Sequence, residues 1–243
     1  MTLGIQLYSV RDDIGPDRLD GTLHRLAGWG FTHVEPYDIV TDPKALAEAL
    51  RRNGLLATTA HAKVTELDEN TVLDAAELLG VRTVIVPWVE PATVADRDGV
   101  ARLADAINAV ADRAARRGIR IGYHNHDFEF AQRVADVPVY ELLVDALDPA
   151  VVLELDVYWA SVGGADVFAL LPLLGDRVRF LHVVHEREPG NDRPVLGTPI
   201  AGRLPEVLRL APAVELPVVE VVAHHSDVFP LVERNAVYFR GLV

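Results

Sequence analysis

The sequence predicts a single-domain α/β protein, a (β/α)8 TIM barrel spanning residues 1–243. Three observations predict it. Eight short apolar runs alternate with eight longer amphipathic segments from one end of the chain to the other. Several of the amphipathic segments close on glycine just before the next apolar run, as "GWG", "RNG", "LLG" and "RRG", the punctuation of an αβ loop. Seven of the nine histidines fall at or just past the expected strand ends, on the one face where such barrels carry their chemistry.

The expected strands, in order, are "LGIQLY", "FTHVEPY", "LLATTAH", "RTVIVPW", "IRIGYHNH", "VVLELD", "VRFLHVV" and "LPVVEVV". Each is short and bounded by Gly, Pro or charge. They are apolar on both faces, as parallel strands covered by helices should be. Helices are expected at about 18–29, 43–53, 68–79, 95–117, 137–147, 164–174, 201–210 and 226–240. The fourth is the clearest, with "VARLADAINAVADRAARRG" repeating apolar residues at i, i+3, i+4 and i+7. No linker or low-complexity tract interrupts the series. An open dinucleotide-binding sheet would need a glycine-rich turn after the first strand, and "LYSVRDDIGP" has none; no GxxxxGK[ST] occurs.

Half of the residues are apolar, enough for a substantial core, and the net charge is −13. That charge argues against a phosphate-tracking nucleic-acid surface. The absence of cysteine excludes disulfides, thiolate ligands and a cysteine nucleophile. "MTLGIQLYSVRDD" is no signal peptide, and no apolar run approaches the ~18 residues that span a bilayer. The expectation is a cytoplasmic protein with no membrane or nucleic-acid partner, and with assembly as a homo-oligomer left open.

The strand ends, taken in turn, carry Gln6 and Tyr8, Glu35, His61, Trp88, then His124, Asn125 and His126 with Glu129 just beyond. Asp156, His182 and His185, and Glu220 with His224 and His225 complete the series. Asp156, His182 and Glu220 each sit within or at the end of a strongly apolar strand. A lone buried ion costs several kcal/mol unless paired or metal-bound, and a shared divalent cation would remove that cost. Nitrogen and oxygen donors without sulfur suit Mn, Co, Mg or Zn.

The stretches "GIQLYSVRDD", "GFTHVEPYD", "ATTAHA", "TVIVPW", "GIRIGYHNHDFEF", "VVLELDVYWASVGG", "RVRFLHVVHE" and "LPVVEVV" run in that order along the chain. Together they resemble the xylose isomerase-like barrel superfamily, in particular its sugar phosphate isomerase/epimerase family. The resemblance implies one divalent metal ion, held by residues from strands five to eight. Asp156, His182 and Glu220 match the ligands of the last three. On the fifth strand His124 stands where many relatives carry Glu, so the fourth ligand is His124 or Glu129. Relatives often read "LHLKD" and "VVEQD" where this chain has "LHVVHE" and "VVEVVAHH", so the family's acid/base pair does not carry over directly.

The implied chemistry is isomerisation or epimerisation of a sugar, sugar phosphate or keto-sugar by proton abstraction next to a carbonyl, through an enediolate. His126, His185 and Glu220 are the catalytic candidates. His61, Trp88, Glu129 and Trp159 are the expected contacts to a small sugar or cyclic polyol. A lyase or dehydratase would use the same enolate, and a metal-poor barrel would lean on a partner subunit. An endonuclease IV-like phosphodiesterase is disfavoured by the acidic charge. It is disfavoured too by Trp159, which stands where that type has a further histidine. Strand alternation puts His124 and His126 on one side, about 7 Å apart, with Asn125 facing away.

Overall fold

In the computed structural model, residues 2–184, 203–221 and 227–241 are described. Eight parallel strands form the barrel: β1 (Gly4–Gln6), β2 (His33–Glu35), β3 (Thr59–His61), β4 (Thr83–Val86), β5 (Arg120–His124), β6 (Val152–Asp156), β7 (Val178–Val183) and β8 (Leu216–Val219). Their order is β2-β1-β8-β7-β6-β5-β4-β3. The seam between β2 and β3 is closed by a few bonds: Val34 N–H to Leu56 O at 2.8 Å and Leu56 N–H to Thr32 O at 3.1 Å at one end, and His61 N–H to Pro36 O at 2.8 Å at the other. The barrel is therefore nearly closed.

Helices lie between the strands much as the periodicity predicts. The second is bounded by Pro43 and Asn53, and the fourth by Arg97 and Ala115. Asp42, Asp68 and Asp96 cap the second, third and fourth helices by accepting from Ala45, Thr71 and Gly99 N–H, satisfying donors that a helix start leaves bare. Several short elements were not foreseen, among them the helix Phe128–Ala131. A 3-10 turn covers Leu7–Asp13, and a small hairpin pairs Arg133–Val134 with Val137–Pro138. A short helix, Val157–Val162, follows β6 directly, where the sequence reading assigned no element. Its cap is Asp156, whose Oδ1 accepts from Trp159 N–H at 2.6 Å.

Side chains alternate along each strand, so every second residue faces the lumen. The lower lumen is apolar, with Ile85, Val152, Phe180, Leu216 and Val218 forming their own cluster. Gly4 and Gly122 leave room for them: a Cβ on Gly4 would lie 3.1 Å from Leu216, and one on Gly122 3.2 Å from Ile85 and Val152. One step of two residues up each strand, the lumen turns polar. Gly4 gives way to Gln6, Gly122 to His124, Val152 to Glu154, Phe180 to His182 and Val218 to Glu220. The period that builds the core thus builds the site on top of it.

Below the core, Glu215 just before β8 is gripped by Arg120 of β5 through two 2.7 Å bonds and by Arg179 of β7 at 2.8 Å. The Arg120 guanidinium, assisted by Arg179, holds the Glu215 carboxyl down at about 2, below its ordinary 4.5. A depressed folded-state value stabilises the fold above pH 4.5, and that contribution is lost as pH falls toward 2. The triad is partly solvated, so the screened contribution is about 1–2 kcal/mol. Glu215→Gln should lower unfolding stability by that amount at pH 7 and should flatten the acid limb. Urea melts at pH 7 and pH 3 check this; equal losses at both would contradict it.

Candidate functional site

Two polar layers stack in the mouth of the barrel. The lower contains Gln6, Glu35, His61 and Glu154, of which Gln6, Glu35 and Glu154 are fully buried. His124 and His182 lie between layers, and Asp156, Glu220 and His126 lie above. His182 joins them through its two nitrogens. Nδ1 lies 2.9 Å from Glu220 Oε2 and 4.0 Å from Asp156 Oδ2, while Nε2 lies 2.7 Å from Glu35 Oε1 and 3.1 Å from Glu154 Oε2. His61 Nε2 sits 2.7 Å from Glu154 and 3.1 Å from Glu35. Among the described residues, every ion pair of these four carboxylates is with an imidazole.

Two overlapping groups could each hold a metal ion, with one atom from every member within 4.8 Å of the others. The upper group is His124, Asp156, His182 and Glu220; the lower is His61, His124, Glu154 and His182. The upper group coincides with the four residues expected from the sequence. Its donors suit a divalent cation, and the electrostatics agree. Burial and the Glu220 charge push Asp156 up to about 8. Burial opposes ionisation of Glu220, but the His182 imidazole outweighs it and holds that carboxyl low. Without a cation the two acids share about one proton, as like charges in one site must. With Asp156 Oδ1 committed to its helix cap, Oδ2 is the oxygen left for an ion.

Lower down, Glu35 and Glu154 draw the His61 imidazole up to about 9 against the opposing effect of burial. His124 goes the other way, lowered by burial and by His182. Its Nδ1 lies 3.2 Å from Glu154 Oε2, yet in poor line, and makes no hydrogen bond.

The stretch "GYHNHDFEF" resolves into three roles. The chain leaves β5 after His124, so the two imidazoles approach more closely than strand geometry predicts, with ring centroids 5.0 Å apart. His126 lines the cavity above, and its Nδ1 is buried without a hydrogen-bond partner. Burial, with His124 nearby, lowers His126 to about 3, so the ring is neutral. Asn125 is fully buried and ties two strand ends together, accepting from Asp156 N–H at 3.0 Å and donating to Asp156 O at 3.1 Å. Glu129, expected at substrate or metal, faces neither. Its two oxygens accept from Tyr123 Oη and His126 N–H, both at 2.8 Å, so it braces the turn that presents His126.

A cavity of about 680 Å³ opens above the ligands, lined by His61, Trp88, His124, His126, Trp159 and Glu220 together with Tyr8, Tyr37 and Lys63. Of the expected substrate contacts, His61, Trp88 and Trp159 line this cavity and Glu129 is not among the lining residues. The Lys63 ammonium lies 5.2 Å over the Trp88 ring, and the His126 ring sits 5.9 Å from Trp159. His185, His224 and His225 lie outside the described residues. The sequence reading gave no site role to Glu35 or Glu154. Glu154 was legible, since it shares lumen parity with Asp156 two residues on.

Residues 23–203 match the xylose isomerase-like TIM barrel family, and the chain belongs to that family. No curated protein matches it in sequence. Among solved structures, a sugar phosphate isomerase/epimerase from Parabacteroides distasonis superposes with a TM-score of 0.80 at 23% identity, over 98% of this chain and 93% of that one. The 3-keto-D-glucoside 4-epimerase from E. coli gives 0.72 at 18% identity, over 99% of each chain. A D-psicose 3-epimerase gives 0.66 at 17%, over 98% of each. These likenesses show the fold. Among the described residues, no helix is long and apolar enough to cross a membrane.

Proposed function

We propose that the protein is a metal-dependent isomerase or epimerase of a sugar, keto-sugar or cyclic polyol. The observation that carries this reading is the convergence of His124, Asp156, His182 and Glu220, from four successive strands, on the floor of an aromatic-walled cavity. These four residues would hold a divalent ion, which would supply Lewis-acid polarisation of a substrate carbonyl. The chain's own residues do the rest. His126, neutral and with a free buried Nδ1, takes a proton from the carbon beside the carbonyl and returns it. Glu129 fixes the backbone of His126, and the Trp88 and Trp159 rings offer apolar faces to a sugar ring. Glu220 and His185 are the further acid/base candidates. The neighbouring structures that carry epimerase names support a sugar substrate.

Metal-loaded protein incubated in D2O with a ketose, an inosose and a 3-keto-glycoside should place deuterium beside the carbonyl of at least one. No exchange with any of them, with the ion bound, would overturn the reading. Ion binding should also stabilise the fold by mass action, by about 2.7 kcal/mol at a hundred times Kd. For a chain of this length that raises the melting temperature by about 5–10 °C. A melting curve unchanged by chelation, with the ion shown to be gone, would count against a buried shared site.

A further inference from the structure

We propose that Glu35 is a positioning residue for the ligand imidazole of His182, and that Gln6 holds Glu35 to that task. The inference rests on the ion-binding reading above. A ligand imidazole offers one nitrogen as a lone pair and keeps its proton on the other. The partner of that second nitrogen sets both tautomer and ring orientation. His182 Nδ1 faces Asp156 and Glu220, where the ion belongs; Nε2 points down the lumen at Glu35 Oε1, 2.7 Å away, closer than Glu154 Oε2 at 3.1 Å. Glu35 stands on β2, three places from β7 in the sheet order, so this contact crosses the lumen.

Glu35 is itself fixed from the neighbouring strand. Gln6, in register with it, donates Nε2–H to the same Oε1 at 2.8 Å. The Gln6 amide cannot turn over without loss, because its Oε1 accepts from Tyr8 N–H at 3.0 Å. A chain therefore runs from the Tyr8 backbone through Gln6 and Glu35 to His182 Nε2–H, so that Nδ1, which faces Glu220 Oε2 at 2.9 Å, is the nitrogen that would give up its proton and turn its lone pair to an ion. His61 Nε2, between Glu35 and Glu154, supplies the facing donor that keeps both carboxylates in place. A buried carboxylate is costly unless paired. At a position where packing alone was needed, an apolar residue would serve, as Val34 does on the other face of β2.

The test is a Co²⁺ titration of apoprotein, read by the visible absorption of the bound ion, with circular dichroism as the check on folding. Glu35→Gln, the same shape without the charge, should weaken Co²⁺ binding about 10–100-fold and shift the absorption bands. Gln6→Leu, which leaves Glu35 intact but unheld, should change both readouts in the same direction and to a smaller extent, and decides the matter if Glu35→Gln does not fold. Wild-type affinity and bands in a folded Glu35→Gln, alongside an Asp156→Ala that has lost the ion, would overturn this proposal alone. Wild-type protein that binds no Co²⁺ would overturn the metal reading, and this proposal with it.

Discussion

Asp156→Ala should strip the protein of its divalent ion and abolish turnover. Asp156 is one of two carboxylates in the upper group, its Oδ2 4.0 Å from His182 Nδ1, and the remnant of His124, His182 and Glu220 lacks one of the two charges that would balance the ion. The substitution also deletes the cap of the helix Val157–Val162, a loss of about 1 kcal/mol by itself. Asp156→Asn separates the two effects. Asparagine caps as well as aspartate, but its neutral amide is a poor ligand, so this variant should keep most of the stability and still lose the ion. Metal analysis of purified protein reads the outcome. Full occupancy in either variant would remove Asp156 from the ligand set.

His126→Gln should keep the ion and lose turnover by about 10²–10⁴-fold, the usual effect of removing a general acid or base. The ring is 5.0 Å from that of His124, but it lines the cavity and carries the unpartnered nitrogen. His124→Gln should behave differently, weakening ion binding itself. Initial rates and metal content on both variants settle the division. Identical behaviour, or normal turnover in His126→Gln, would reduce the motif to scaffold.

The barrel was legible because its two periodicities are strong and uninterrupted. So were the candidate ligands of the upper group, because Asp156, His182 and Glu220 stand out as chemistry-bearing residues in apolar strands. The lower polar layer was harder to see. Glu154 lies within "VVLELD", masked by the more conspicuous Asp156, and its partner His61 comes from across the lumen, which no local pattern reveals. Strand alternation holds only as far as His124, where the backbone turns, so the separation expected between His124 and His126 was too large. Glu129 lies past that turn, where the resemblance gave no geometry, and it bonds Tyr123 and the His126 backbone. The helix Val157–Val162 went unseen because "VYWASV" is too short for helical periodicity and is anchored by a cap that was read as a ligand. Asp156 is placed to be both.

The most direct test of the ion's place is anomalous diffraction from crystals grown with Mn²⁺. A single peak is expected about 2.0–2.3 Å from donor atoms of Asp156, His182, Glu220 and His124. No peak at saturating Mn²⁺, or a peak away from these residues, would contradict the account.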